Sequence, residues 1–249
     1  MSEQKTTHFG FKDVPEDQKQ DLVGDVFTSV ADRYDLMNDL MSGGLHRLWK
    51  RHFAAASRIR PGDQVLDLAG GTGDIAALIY DRLGDQGQVV VADINAAMLE
   101  RGRDRLLDMG KIRRSRFAQV NAEALPFNDR SFDCVTMAFG LRNVTHKQRA
   151  LESVFRVLKP GGRFLILEFS ELQVSGLKPL YDWYSFNVLP WLGSRVAGDA
   201  DSYQYLAESI RRHPNQETLR QMMEDAGFVQ TRVRNLLAGV VAIHEGVRP

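Results

Sequence analysis

The run Val65-Leu66-Asp67-Leu68-Ala69-Gly70-Gly71-Thr72-Gly73-Asp74 places three glycines within four residues, directly behind an apolar stretch. Glycine lets a chain turn sharply and lets backbone come close to a ligand. A tight turn without a ligand needs fewer glycines than this. Gly71, Gly73 and Ala76 also satisfy G-x-G-x-x-A, a weak signature of a dinucleotide site. Charge separates the ligands. Asp67 precedes the loop and Asp74 follows it. A pyrophosphate at a helix N-terminus wants positive potential, which two carboxylates oppose. A ligand carrying an ammonium and a sulfonium would welcome them, and S-adenosylmethionine is such a ligand. Asp93 stands about 20 residues beyond the glycines, where an acid accepts from ribose hydroxyls. That feature suits a nicotinamide dinucleotide equally well. Asn121-Ala122 follows a further apolar run, where the Asn121 amide could meet an adenine edge or equally be an ordinary loop residue.

The elements that must position these residues follow from the hydrophobic pattern. Short apolar runs at Gln64 to Ala69, Gln88 to Asp93, Arg116 to Val120, Phe132 to Phe139 and Arg163 to Phe169 read as strands. Helical patterns separate most of them: Gly73 to Leu83, a helix capped by Asn95 and running to about Met109, and Lys147 to Leu158. Helices are expected at Ser202 to Arg211 and Gln216 to Ala226, the latter ended by Gly227 as a left-handed cap. Phe228 to Arg234 and Gly239 to Glu245 then form an antiparallel strand pair. The alternation predicts an α/β fold with one doubly wound, mostly parallel seven-stranded sheet. Residues 1–16 read as loose. Residues 17–249 form a single domain: N-terminal helices over 17–60, a cofactor-binding core over 61–170, substrate-side helices over 171–226 and the strand pair over 227–249. The apolar stripe Val23, Val26, Phe27, Val30, Ala31 and Tyr34 reads as a packing face, with a lid or a membrane-facing patch as the competing reading. The 249 residues carry 32 basic and 32 acidic side chains. Zero net charge argues against a nucleic-acid partner, which needs a basic surface. The one cysteine, Cys134, sits in an apolar run and reads as a buried thiol in a reducing compartment. No Cys/His cluster suggests a metal. No secretory signal or membrane-spanning run is visible, so a cytoplasmic protein is expected, with transient contact with a membrane surface left open.

Asp67, Gly71 and Gly73 with Asp93 resemble the first two motifs of class I S-adenosylmethionine-dependent methyltransferases. Two stretches are more specific: Tyr34 to Lys50 (YDLMNDLMSGGLHRLWK) and Arg156 to Ser170 (RVLKPGGRFLILEFS). Both resemble signatures of the ubiquinone/menaquinone biosynthesis C-methyltransferases, as do Phe139-Gly140-Leu141-Arg142-Asn143-Val144 and Asp199 to Ile210 (DADSYQYLAESI). The match covers nearly the whole chain beyond the first dozen residues. It implies the Rossmann-like class I methyltransferase fold with an N-terminal helical cap. It further implies S-adenosyl-L-methionine as cofactor and a ring carbon of a polyprenylated benzoquinol or demethylmenaquinol as methyl acceptor. By position it assigns cofactor contacts to Thr72, Asp93, Asn121 and Ala122, beside Asp67, Gly71 and Gly73. It singles out Asp201 and Tyr203 for the second ring oxygen. Many class I methyltransferases carry Gly at the position of Ala69, and members of the more specific family often carry Ser at that of Ala138.

Such a methyl transfer is an in-line displacement at a sulfonium. The acceptor carbon becomes nucleophilic when the neighbouring phenol loses its proton, so a base or a phenolate-stabilising group is required. An anion and a cation neutralise each other in the transition state, which favours a dry site. Arg142 and Asn143 are the candidates. Arg142 could stabilise phenolate or order a water, but cannot be a base at neutral pH; it could equally pair with Asp67 or Glu168 and only shape the loop. Asn143 could orient the phenol oxygen. His146 has a suitable pKa but sits where it would cap the following helix. The aromatic segment from Tyr181 to Trp191 could wall a flat apolar ring site or serve as core, and Tyr181 is a candidate substrate contact. The competing functions are a methyltransferase with another small-molecule acceptor and a non-catalytic cofactor-binding subunit of a quinone-synthesis assembly. A base methyltransferase would show an Asn/Asp-Pro-Pro-aromatic loop where this chain has Phe139 to Asn143. The sequence is compatible with a homodimer or with membership of a quinone-biosynthesis assembly, and fixes neither.

Overall fold

A computed structural model of the chain describes residues 5–30, 36, 38–39, 42–174, 176, 179, 183, 187–188, 191, 195 and 200–249. Nine strands and seven helices are defined among them. The strands are β1 (Thr6–Phe9), β2 (Lys12–Pro15), β3 (Gln64–Leu68), β4 (Gln88–Asp93), β5 (Ser115–Gln119), β6 (Phe132–Ala138), β7 (Leu158–Phe169), β8 (Val229–Leu236) and β9 (Val241–Val247). The helices are α1 (Glu16–Val30), α2 (Leu45–Ala56), α3 (Asp74–Ile79), α4 (Ala96–Asp108), α5 (Lys147–Val157), α6 (Ala200–Arg212) and α7 (Gln216–Asp225). None of the described helices is long and apolar enough to cross a membrane.

β3 to β9 build one sheet in the order β5-β4-β3-β6-β7-β9-β8. β3 to β7 are parallel, and β9 runs antiparallel to both β7 and β8. The expected mixed sheet of seven strands is therefore present. Successive residues of a strand face opposite sides, and here both sides are apolar. Val65, Val89, Val91 and Leu165 face the layer of α2, α3 and α4, where Trp49, Phe53, Ile79 and Leu106 are buried. Leu66, Leu68, Val135 and Ile166 face α5 and α7, packing against Leu151, Val154, Leu219 and Met223. This is the near-continuous apolar texture of a sheet covered on both faces. Chain order reverses between β3 and β6, so the carboxyl ends of these two strands flank the crevice where open α/β sheets hold ligands.

Three expectations need correction. The N-terminal segment expected to be loose holds a hairpin instead. β1 pairs antiparallel with β2, Thr6 opposite Pro15. Its supports are distant in sequence: Phe9 stacks on Tyr205 at 4.2 Å, and the Phe11 amide donates to Glu208 at 2.9 Å. Secondly, the helical spacing of Leu45, Leu48, Trp49, His52, Phe53 and Ala56 predicts one inward stripe, but α2 buries His46, Trp49, Lys50, Phe53 and Ala54 and leaves Leu45 and Leu48 exposed. Remote carboxylates make the difference, since Asp39 accepts from His46 at 2.9 Å and Asp74 from Lys50 at 2.5 Å. Lastly, Pro160-Gly161-Gly162, which reads as a turn leading into a strand at Arg163, is absorbed into β7, the register jumping from Leu158 opposite Phe132 to Arg163 opposite Cys134.

Candidate functional site

The carboxyl ends of β3, β4, β5 and β6 open onto a cleft lined largely by apolar side chains, the usual texture of a small-molecule site. Its floor is Leu68, Ala69 and Gly71 from the glycine loop with Phe139 and Gly140 from the loop after β6. The loop folds tightly: the Gly73 amide donates to the Gly70 carbonyl at 2.8 Å, and the Gly73 carbonyl accepts from Ala77 at 2.8 Å as α3 begins. Ala69 adopts a left-handed conformation, φ 53°. Glycine would adopt that conformation without strain, and alanine does not. α4 rests directly on the loop. A Cβ at Gly102 would stand 3.2 Å from the Thr72 carbonyl carbon and closer still to the Gly71 oxygen, so a larger residue would push the helix off.

Asp93 closes β4 and lines the cleft. Its Oδ2 accepts from the Gly71 amide and its Oδ1 from the Asn95 amide, both at 2.9 Å. Each oxygen keeps a further lone-pair direction for a ligand hydroxyl. Burial raises its pKa, against the pull of these amides. Asn95 caps α4 as expected, accepting from Met98 at 3.0 Å. Its amide nitrogen reaches across to α1, donating to the Gly24 carbonyl at 3.1 Å and to Thr28 at 3.0 Å. Asn121 lines the cleft, but its side-chain oxygen is used locally, accepting from Glu123 at 2.9 Å. Ala122 lines the wall beside it.

Of the residues expected to contact a cofactor, the cleft brings together Gly71, Asp93, Asn121 and Ala122. Asp67, Thr72 and Gly73 lie outside its lining. Asp67 is buried beneath the loop, where it accepts from Thr136 at 2.9 Å and from the Ala76 amide at 3.1 Å. Burial pushes its pKa up to about 7, with repulsion from Asp74 and Asp93 added and the two hydrogen bonds opposing. Asp74 is not free for a ligand cation either. Lys50 and Arg105 each hold one of its oxygens at 2.5 Å, overcoming burial and keeping its pKa low. The acidity of the cleft therefore comes from Asp93 and Glu123, not from the two aspartates that bracket the glycines.

Arg142 and Asn143 are adjacent but face different surroundings. Arg142 is buried; its guanidinium bonds Glu168 at 3.0 Å and donates to the Phe139 carbonyl. Its amide also donates to Glu168, at 3.2 Å. It shapes the loop rather than lining the cleft. Asn143 does line the cleft, and its Oδ1 accepts from Tyr205 at 2.9 Å. Burial raises the Tyr205 hydroxyl to about 12, so it stays a donor. Tyr203 is buried in the core and Asp201 is exposed on α6; neither lines the cleft. The α6 tyrosine that reaches the site is Tyr205, which sequence reasoning missed. Tyr181 lies outside the described residues. α1 covers the cleft with Gln20, Val23, Gly24 and Phe27, which favours the lid over the plain packing face expected of this stripe. The helical stripe was visible, but nothing local showed that it closes a cleft. Among the described residues no group of His, Cys, Asp and Glu is placed to hold a metal ion.

A sequence profile described as the ubiE/COQ5 methyltransferase family matches residues 13–248. Among curated proteins, the ubiquinone/menaquinone biosynthesis C-methyltransferase UbiE of Xanthomonas campestris pv. campestris is 60% identical over 98% of this chain and 96% of its own. The protein of the same name from Cellvibrio japonicus is 58% identical over the whole of both chains. Among solved structures, a SAM-dependent methyltransferase of Aquifex aeolicus superposes with a TM-score of 0.62 at 17% identity, covering 86% of this chain and 97% of that one. One from Thermotoga maritima gives 0.63 at 18%, covering 90% and 99%. At these identities the structural likeness speaks for the fold alone.

Proposed function

The chain belongs to the ubiE/COQ5 methyltransferase family, and from that premise we propose that it moves the methyl group of S-adenosylmethionine onto a ring carbon of a polyprenylated benzoquinol or demethylmenaquinol. The observation that carries the reading is the full-length identity of about 60% to proteins named for this reaction. The cleft suits the cofactor. Gly70 lets the loop pack against the sheet, since a Cβ there would stand under 3.0 Å from Val91 and the Asp67 carbonyl, and Gly71 presents no side chain to the cleft. Asp93 offers two oxygens to ribose hydroxyls, and Met98 and Val120 supply an apolar wall for a base. When bound, the cofactor supplies an electrophilic methyl group on a sulfonium.

The remaining steps belong to this chain. Tyr205 fixes the Asn143 amide by holding its oxygen, which leaves the amide nitrogen to orient an acceptor oxygen at the cleft. Arg142, neutralised by Glu168, holds the loop that carries Asn143. α1 lies over the cleft through Val23 and Phe27 and keeps water out, which strengthens attraction between an anionic acceptor and a cationic donor. Exposed Leu45 and Leu48 on α2 give an apolar surface suited to transient contact with the lipid in which a polyprenylated substrate resides. Calorimetric titration with S-adenosylmethionine, S-adenosylhomocysteine and NAD, followed by turnover with reduced short-chain quinols, tests the reading. Binding of the first two with methylation of a quinol carbon is expected. Binding of NAD instead, or methylation only at oxygen, would overturn it.

A further inference from the structure

The hairpin of β1 and β2 docks on one face of α6, and its contacts reach through to the cleft. Tyr205, Glu208 and Arg212 stand at i, i+3 and i+7 along that helix, the spacing of a single face. Each meets the hairpin. The Phe9 ring stacks on Tyr205 with centroids 4.2 Å apart and planes 19° from parallel. Glu208 accepts from the Phe11 amide at 2.9 Å, and its other oxygen accepts from Gln204 at 2.8 Å. The Arg212 guanidinium lies over the Phe11 ring, 5.8 Å from its centroid. Gly10, between the two phenylalanines, is buried with φ 57°, and a Cβ there would collide with the Glu208 carboxylate. The turn therefore sits flush on the helix. At the other end of the hairpin, Pro15 leads directly into α1, which covers the cleft.

The consequence falls on Tyr205. Its ring is buried, and its hydroxyl donates to Asn143 Oδ1 at 2.9 Å. Asn143 lines the cleft, in a turn where its backbone amide donates to the Gly140 carbonyl at 3.1 Å. A side-chain amide has two ends of nearly equal shape, one a donor and one an acceptor. Shape alone does not decide which end faces a ligand. The Tyr205 hydroxyl decides it by taking the oxygen. The tilt of the Tyr205 ring is set in turn by what packs on its faces, and Phe9 covers one of them. Without that cover the ring is free to tilt, and a shift of about 1 Å takes a hydrogen bond out of its working range.

We propose that Phe9 is a positioning residue for the methyl transfer: through its stack on Tyr205 it keeps the Asn143 amide nitrogen directed into the cleft, where it donates to the ring oxygen of the acceptor. The inference rests on the reading of the protein as a quinol C-methyltransferase. Phe9 is outside the cleft lining, and no bond changes at it. It acts through alignment, where a misplacement of about 1 Å can cost on the order of 100-fold in rate. A residue that only supported the fold would lower stability and leave the turnover of the folded protein as it was.

The test compares full-length wild type with Phe9→Ala, Phe9→Tyr, Tyr205→Phe and the double variant combining Phe9→Ala with Tyr205→Phe. Initial rates with saturating S-adenosylmethionine and a reduced short-chain quinol give kcat and KM. Calorimetry with S-adenosylhomocysteine counts the cofactor-competent sites. Phe9→Ala and Tyr205→Phe should each lower kcat about 10- to 100-fold, with the quinol KM and the S-adenosylhomocysteine affinity within about threefold of wild type. Phe9→Tyr retains the stacked ring and should retain kcat. The double variant should be slower than either single variant by no more than about threefold, because Phe9 acts only through the hydroxyl that Tyr205→Phe removes. Lys12→Ala, an exposed change in the same hairpin, should leave kcat unchanged. Wild-type kcat per competent site in Phe9→Ala or in Tyr205→Phe overturns the proposal, as do losses that multiply in the double variant. Should Phe9→Ala fail to bind S-adenosylhomocysteine, Tyr205→Phe, which removes a single oxygen atom, decides alone. Any of these results with a wild type that methylates quinol carbon would sink this inference alone. A wild type that binds the cofactor and methylates no quinol carbon would sink the reading beneath it.

Discussion

Gly140→Ala should damage the floor of the cleft, and a second substitution should repair it. The Gly140 backbone, φ −113° and ψ −32°, is ordinary for alanine, so conformational strain is not the cause. The damage is steric. An added Cβ would stand less than 3.0 Å from the Ala69 Cβ and 3.4 Å from Met137 Cε. Carbon atoms pack at about 3.5–4.0 Å. Met137 can yield, but the Ala69 methyl is fixed to backbone and cannot swing aside. Overpacking of this kind costs about 1–3 kcal/mol, or for a chain of this size a fall in melting temperature of roughly 2–4 °C per kcal/mol. Ala69→Gly removes the obstructing methyl and also the strain of alanine at φ 53°, set against the greater freedom of glycine in the unfolded chain. The strain of alanine there is about 1–2 kcal/mol and outweighs the roughly 0.4–1 kcal/mol of glycine's unfolded freedom, so Ala69→Gly alone should range from neutral to about 1.5 kcal/mol more stable than wild type. In the double variant the new methyl occupies the space vacated by the old one. Urea unfolding of all four proteins, with and without S-adenosylhomocysteine, should give a coupling energy of about 1–2 kcal/mol and restored ligand affinity. Effects that add to within about 0.4 kcal/mol would refute the reasoning.

Further substitutions test other parts of the site. Asp93→Ala leaves the Gly71 and Asn95 amides without their acceptor; calorimetry should show S-adenosylhomocysteine binding weakened by about 10- to 100-fold, as expected for charge-assisted hydrogen bonds. Asn95→Ala removes a helix cap and the tie to α1, so unfolding should show a loss of about 1–2 kcal/mol and hydrogen exchange should quicken across Glu16–Val30. Glu168→Gln breaks a buried ion pair and should lower stability by about 3–5 kcal/mol in denaturant titration, as should Arg142→Met. Asp67, with a folded pKa of about 7 against roughly 3.9 unfolded, holds its proton more tightly in the folded state. Its contribution is present below pH 4 and lost as pH rises towards 7. Asp67→Asn keeps an acceptor for Ala76 and a donor for Thr136, so its unfolding free energy should fall less steeply than that of wild type between pH 5 and 7.5.

The sheet could be read from the sequence because its signals are local. Apolar runs of strand length, Asn95 ahead of a helical stripe and Gly227 behind one each carry their meaning within a few residues, and the element bounds fall within a few residues of those expected. Asp93 was legible for the same reason, standing at a strand end at a fixed spacing from the glycines. What failed depends on distant partners. Charge near the glycines pointed to a cation-binding loop, yet Lys50 and Arg105 quench Asp74, and the fold sinks Asp67 under the loop. Arg142 read as evenly balanced between chemistry and structure until Glu168, on another strand, decided it. Tyr205 and Tyr203 differ by two positions on one helix, and only the packing of α6 shows that Tyr205 meets Asn143. The hairpin of β1 and β2 is short and polar, so its stacking on α6 had no local trace.

The position of β9 bears on how the molecule is made. β9 lies between β7 and β8, yet β8 leaves the ribosome first. While the intervening chain is synthesised, at about 5–20 residues per second, β7 presents an open edge for on the order of ten seconds. Its row of unpaired amides and carbonyls along Phe164–Phe169, flanked by apolar side chains, is a template for pairing with any other extended strand. The nascent protein thus carries a risk of self-association along β7 until Val241–Val247 pairs with it antiparallel and closes the gap.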